Sequence, residues 1–190
     1  MNVYQDITLI PSGETNVGFL WQKIYTQVHL ALVEAHKNGG NHAVAFPGYK
    51  AKAYPLGDTL RLFSSGQKEL DSLALPKWLN RLQDYCHLGE CKHVPEAVEY
   101  VCFVRKQFKS NVERLARRRA KRNNESYQQA LAYFEGFKEE KTRLPFVRLQ
   151  SLSNGKHYFP LYIEMREAHK AMNGEFDCYG LSKTATVPWF

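Results

Sequence analysis

A chain of 190 residues with 44% hydrophobic and 13% aromatic side chains can fill one compact core or two small ones, which excludes a disordered or fibrous protein. Its formal charge of +7 and pI of about 9.2 favour an anionic partner such as nucleic acid or a membrane surface. No apolar run reaches the roughly 18 residues of a membrane span, and the amino terminus has neither the basic flank nor the apolar stretch of a signal peptide, so a soluble, cytoplasmic protein is expected.

Near the amino terminus, "VYQDITLI" predicts a strand, because Ile7 and Leu9 alternate with Asp6 and Thr8. Val17, Leu20, Trp21, Ile24, Val28, Ala31 and Ala35 then recur at helical spacing until "NGG" stops them. Two strands, "HAVAFPGY" and "TLRLFSS", flank a Pro/Gly loop, and a helical region follows from about Gln67 to Cys86, with Pro76 at a first-turn position of its second segment. "CHLGECKH" brings Cys86, His87, Cys91 and His93 together as possible zinc ligands. No second ligand pair follows at the usual distance and His87 adjoins Cys86, so the segment reads as a helix end, a loop and a strand with cysteines as small hydrophobes; no metal is expected. Four cysteines are also too few to staple a fold of this size, which agrees with a reducing compartment.

"AVEYVCFVRKQF" closes the first half as a further strand. The resulting order βαββαβ is that of a ferredoxin-like fold, the architecture also used by RNA recognition motifs, and gives an expected domain over residues 1–108. The third and fourth strands lack the glycine-and-aromatic pattern by which an RNA recognition motif stacks bases, so RNA is expected to bind elsewhere.

Residues 109–190 form the expected second, smaller domain of an α+β protein. "NVERLARRRAKRNN" is rich in strong helix formers, with Asn111 placed to cap it. Arg114, Arg117, Arg118, Lys121 and Arg122 fall at i, i+3, i+4, i+7 and i+8 and share one face; Ala116 and Ala120, with Val112 and Leu115, form the back. Like charges four apart repel by a few tenths of a kcal/mol per pair, so such a face calls for an anionic partner; the bland alternative is a solvated helix. Phosphates of a duplex groove suit it, and the major groove of A-form RNA is most accessible beside a hairpin loop or helix end. Just before this helix, Arg105 and Gln107 lie on one side of an extended segment, where arginine can pair with guanine and glutamine with adenine. The alternative is two polar residues at a strand exit. "ESYQQALAYFEGFKEE" then predicts a third helix, "LPFVRLQSLSNGKHYFPLYIEM" a hairpin turning at "SNGK", and "FDCYGLSKTATVPWF" an aromatic tail that packs down through Trp189 and Phe190.

Four separated blocks, "VHLAL", "RKQFKSNVERLARRR", "LPFVRLQSLSNGKHYF" and "CYGLSKTATVPWF", together resemble the CRISPR-associated endoribonuclease of subtype I-F systems, in the same order and over Asp6 to Phe190. The resemblance implies a metal-independent ribonuclease without cofactor. It would bind the CRISPR repeat stem-loop, cut precursor crRNA at the 3′ base of the stem to a 2′,3′-cyclic phosphate and a 5′-hydroxyl, and stay on the crRNA hairpin. Its implied partners are that hairpin and the backbone, large and small subunits of a type I-F guide complex. Carried over by motif, the catalytic residues are His29, Ser151 and Tyr179, with Ser153 a rival to Ser151. Arg105 and Gln107 are the implied base readers. Lys109, Ser110, Asn111 and Ser153 are further RNA contacts, and the groove helix supplies Arg114, Arg117, Arg118, Lys121 and Arg122. Tyr158 takes the place of an aromatic, phenylalanine in the expected form, that stacks beside the cut; Asn123 stands where the family can have histidine.

The chemistry agrees with this assignment. Without a metal, a base with a pKa near neutrality must take the proton of the 2′-hydroxyl, and histidine, at about 6.5, fits. His29 lies about 120° around the helix from the Val17/Ala35 stripe, so it need not be core. A serine hydroxyl can hold the attacking oxygen, and Tyr179 can orient the imidazole or a phosphate oxygen. By themselves these residues also read as a surface histidine, turn serines and a core tyrosine, with His157 the second choice of base. A hairpin-binding subunit that does not cut, and a basic regulator of duplex DNA, are the alternative functions.

Overall fold

The alternation of Ile7 and Leu9 with polar neighbours has its structural counterpart in β1 (Val3–Leu9), which buries Val3, Ile7 and Leu9 on one face. The computed structural model describes residues 1–13, 15–96, 98–108, 112–137, 142–151 and 158–190. Antiparallel ladders join β1 to β3 (Thr59–Ser64) and β3 to β2 (Ala43–Ala45), and β1 pairs on its other edge with β4 (Cys86–Leu88) and, further along, β5 (Lys92–His93). The order of this sheet is β2-β3-β1-β4. Beyond β2 the chain turns back because Gly48 and Gly57 pack backbone to backbone: a Cβ on Gly48 would lie 2.6 Å from the Gly57 Cα.

α1 (Val17–Lys37) starts at Asn16, whose side chain accepts the Gly18 amide at 2.7 Å. It ends at Gly39, which takes a left-handed φ of 81° while the Gly40 amide reaches back to the Ala35 carbonyl at 2.9 Å. Its buried face holds Leu20, Trp21, Ile24, Tyr25, Val28, Ala31 and Leu32. The helical region expected from Gln67 is broken into α2 (Gln67–Asp71) and α3 (Leu75–Trp78), with Pro76 in the first turn of α3. Cys86 is not helical: it is buried on β4, with His87 exposed beside it.

The strand read from "AVEYVCFVRKQF" is β6 (Glu99–Lys106), but it does not close the first sheet; β4 and β5 hold that edge of β1. β6 instead lies inside a second antiparallel sheet of order β7-β8-β6-β9, with β7 (Phe146–Gln150), β8 (Tyr158–Ala168) and β9 (Val187–Trp189). Those ladders tie residues from both sides of the expected 108/109 boundary into one hydrogen-bonded sheet. The compact units are accordingly Met1–Lys106 with Pro145–Phe190, and Gln107–Leu144. Within the larger unit one apolar core runs from α1 and the first sheet to Val101, Phe103, Val147, Leu149, Leu161 and Ile163 of the second. Phe103 meets Phe46 edge-on with ring centres 5.2 Å apart. The tail packs down as expected: Arg61, paired with Asp6, lies 4.2 Å from the Phe190 ring centre and 4.5 Å from that of Tyr4.

The smaller unit holds α4 (Val112–Asn123) and α5 (Tyr127–Ala132). α4 ends where Asn124 takes a φ of 52°, a conformation that Asn tolerates better than most residues, and the Glu125 amide donates to Ala120. Ser126 then caps α5 in a reciprocal box with Gln129. Among the described residues no helix is long and apolar enough to cross a membrane.

Candidate active site and nucleic-acid interface

His29 sits on the margin of the buried face of α1, one turn beyond Tyr25, because residues four apart share a helix face. It is half-buried, and its Nδ1 lies 2.8 Å from the Cys178 carbonyl. A carbonyl oxygen has no proton to give, so Nδ1 carries the hydrogen and Nε2 is the basic atom of the neutral ring. The ring stacks on Tyr179, with centres 4.3 Å apart and planes 5° from parallel. Burial lowers the His29 pKa below its ordinary value; the Cys178 carbonyl and the Asp177 charge oppose that shift, and the Arg105 charge adds to it. Burial raises the Tyr179 pKa, with the charge and hydrogen bond of Arg105 opposing, so its hydroxyl stays protonated at neutral pH.

The segment carrying Cys178 and Tyr179 is tied at every step. Three successive carbonyls, of Cys178, Tyr179 and Gly180, accept from His29 Nδ1, from the Tyr25 hydroxyl at 2.9 Å and from the Val44 amide at 2.9 Å. On its inner side Asp177 Oδ1 accepts the amides of Tyr179 at 2.8 Å and Leu181 at 3.0 Å. Gly180 has a φ of 72°, and a Cβ there would fall 2.7 Å from Val44 Cγ1. Neither Tyr25 nor Asp177 is among the site residues drawn from the sequence. The signals for them were the spacing of Tyr25 from His29 and the Asp-x-x-Gly pattern of a turn at 177–180.

Ser151 is the first residue after β7, a strand that packs against α1. On β8, Tyr158 pairs with Gln150, the residue before Ser151; it is 48% exposed and has the Arg148 guanidinium 4.9 Å from its ring centre. Arg105 emerges from β6 over Tyr179, 4.7 Å from the ring centre. Gln107 is exposed beyond the end of that strand, so the two expected base readers do not share one strand. Lys109, Ser110, Asn111, Ser153, His157 and the "SNGK" turn lie outside the described residues.

On α4, Arg114, Arg117, Arg118, Lys121 and Arg122 are all exposed, and Ala116 is buried. Arg117 reaches Glu113 one turn earlier at 3.0 Å. Arg119, the cation the helical spacing leaves off that face, turns inward: it pairs with Glu125 at 2.7 Å and lies 3.7 Å from the Tyr133 ring centre. Among the described residues no three His, Cys, Asp or Glu side chains gather as a metal site.

These features define an α+β protein with a histidine-centred site of fixed tautomer and a separate helix that presents a row of cations. Residues 4–190 match the family model described as CRISPR-associated protein (Cas_Csy4), and the chain belongs to that family. It is 37% identical over the full length of both chains to a protein named CRISPR-associated endonuclease Cas6/Csy4 from Pseudomonas aeruginosa (strain UCBPP-PA14), over 191 aligned residues. A protein of the same name from Escherichia coli (strain UTI89 / UPEC) is 34% identical, again over all of both chains. A solved structure described as "An RAMP protein binding different RNA substrates" aligns over 98% of this chain and 99% of its own, at 12% identity and a TM-score of 0.37, too loose a likeness to argue from.

Proposed function

We propose that this protein is a metal-independent endoribonuclease that binds a CRISPR repeat stem-loop and cuts precursor crRNA at the 3′ base of the stem. The observation that carries the proposal is His29, with Nδ1–H held by the Cys178 carbonyl and its ring held flat on Tyr179. That arrangement commits Nε2 to accept a proton, and burial keeps the ring neutral near pH 7. In the proposed step Nε2 takes the proton of the 2′-hydroxyl beside the scissile phosphate. The 2′-oxygen forms its bond to phosphorus as the bond to the 5′-oxygen breaks in line with it, and that oxygen takes up a proton from water, so the products are a 2′,3′-cyclic phosphate and a 5′-hydroxyl. Ser151 is the proposed holder of the 2′-oxygen, Tyr158 of the neighbouring base.

Full-length kinship to proteins named CRISPR-associated endonucleases supports the reaction class. The exposed cations of α4 support binding in an RNA major groove, with Arg105 and Gln107 as proposed base readers. The order β2-β3-β1-β4 with α1 supports a ferredoxin-like reading of the first sheet, now with β4 as its closing strand. In this reading the protein stays on the crRNA hairpin, through which it joins other subunits of a type I-F guide complex.

The test is cleavage of a labelled repeat hairpin in EDTA by wild type and His29→Ala, with binding measured in parallel. The proposal expects one cut to a cyclic phosphate by the wild type, and a variant that binds without cutting. Tight binding by both proteins with cleavage by neither would instead make this a hairpin-binding subunit. Absence of hairpin binding would remove the groove-helix assignment.

A further inference from the structure

We propose that Asp177 is a positioning residue for His29, holding the Cys178 carbonyl where it fixes the Nδ1 hydrogen and so selects Nε2 as the atom that meets RNA. This rests on the reading of His29 as the general base, and extends it to a residue that touches neither substrate nor imidazole. Asp177 is exposed, yet its Oδ1 is spent inward on the amides of Tyr179 and Leu181, and its own backbone closes the turn: its amide donates to the Leu181 carbonyl at 2.8 Å and its carbonyl accepts from Gly180 at 2.8 Å. Without that internal acceptor two amide hydrogens would lose their partner, and the turn would relax towards solvent. Its carbonyls would then shift from Tyr25, His29 and Val44 together, since all three belong to successive residues of that one turn.

The consequence for chemistry is a matter of tautomers. A neutral imidazole carries one N–H, and the hydrogen bond made by one nitrogen decides which nitrogen is left basic. If the Cys178 carbonyl moves away, Nδ1 loses its reason to hold the hydrogen and the ring loses its stack. Misplacement on the scale of an ångström costs up to about 100-fold in rate. The carboxylate also acts at a distance: its charge favours the imidazolium, against the burial of the ring and the Arg105 guanidinium. Cys178, Tyr179 and Tyr25 are titratable neighbours in this loop and on this helix, and burial holds each of them towards its neutral form.

Two substitutions separate the roles. Asp177→Ala removes acceptor and charge; Asp177→Asn keeps an acceptor oxygen and removes only the charge. Repeat-hairpin affinity should stay within about twofold in both, because Asp177 makes no proposed RNA contact. Single-turnover cleavage at saturating protein should fall roughly 10- to 100-fold in Asp177→Ala, and Asp177→Asn should recover most of that loss at alkaline pH. The acid limb of the asparagine variant should move to lower pH. Losing the anion lowers the His29 pKa, so the ring stays deprotonated further into acid.

Long-range nitrogen–proton NMR of the His29 ring reads the tautomer without any cleavage, so it separates failure of this proposal from failure of the ribonuclease reading. Nδ1–H in wild type and its loss in Asp177→Ala are expected even if the protein cuts nothing. Unchanged Nδ1–H and unchanged rate in the alanine variant would overturn the proposal. Should that variant not melt cooperatively, amide exchange in the wild type decides: slow exchange at Tyr179 and Leu181 supports the clasp, and exchange at the rate of an open loop overturns it.

Discussion

Residues 177–181 and helix α4 are built on opposite principles. The loop spends its polar groups inside the fold: its five carbonyls and four of its amides have named partners, and the backbone of Gly180 is pressed against Val44. α4 spends its polar groups outside, burying Ala116 while five cations stand exposed along one face. A site that must place one nitrogen against one proton needs fixed geometry, because a base works only within hydrogen-bond reach. A surface that meets phosphates needs charge and reach rather than fixed rotamers, because long-range attraction and counterion release supply the affinity.

Substitutions that split rate from affinity give this contrast its hardest test. At saturating protein His29→Ala should lower the cleavage rate by about 10²- to 10⁴-fold, the usual worth of a general base, with hairpin affinity held within about twofold. A variant that keeps wild-type cleavage would remove His29 from the chemistry. On α4 the effect should reverse. Arg118→Ala and Arg122→Ala should each weaken binding and reduce the slope of log K against log salt by about 0.7 to 0.9, with single-turnover rates at saturation near wild type. Titration of affinity against salt checks this, and a slope unchanged in both variants would mean that α4 does not contact phosphate.

A smaller effect comes from the charge that faces the loop. Arg105 lowers the His29 pKa, so replacing it by glutamine should raise that pKa and move the acid limb of the rate to higher pH. The sign follows from the base needing to be deprotonated: with a higher pKa more of the ring is charged at pH 6, and the rate there falls relative to its alkaline plateau. Wild type should be near its plateau at neutral pH, because burial already holds the ring neutral. A limb that stays put in Arg105→Gln would mean that the guanidinium is screened from the imidazole.

The two regions also differed in how far they could be read in advance. α4 was legible almost whole, since its cations and its alanine back follow from helical spacing alone. Its missed feature was Arg119, whose inward turn depends on Glu125 and Tyr133, partners no periodicity indicates. The first sheet and α1 were legible as elements, but the place of β6 was not. Strand pairing is decided by long-range ladders, and the short strands β4 and β5 took the edge assigned to it. At the candidate active site His29 and Tyr179 came from the family motif, and the structure brings them into ring contact. Tyr25 escaped because its hydroxyl meets a backbone carbonyl far away in sequence, and Asp177 because the Asp-x-x-Gly pattern marks its own turn without marking what that turn holds.

The smallest predicted effect concerns the one acidic residue on α4 that holds a cation of the exposed face. Glu113 pairs with Arg117 at 3.0 Å, both well exposed, and an exposed i, i+4 pair is worth about 0.3 to 0.5 kcal/mol to a helix. Glu113 is also an anion in the first turn, where the helix dipole favours it, so Glu113→Gln should slightly destabilise the free helix. Towards RNA the balance runs the other way. In the proposed complex Arg117 would have to leave a carboxylate to reach a phosphate, and that carboxylate would repel phosphates near it; glutamine removes both costs. The expected outcome is hairpin affinity two- to threefold tighter, equivalent to about 0.4 to 0.6 kcal/mol, with the gain shrinking as salt screens it. Equal or weaker binding at low salt would mean that Arg117 stays on its own helix in the complex, leaving Arg114, Arg118, Lys121 and Arg122 as the cations that meet the groove.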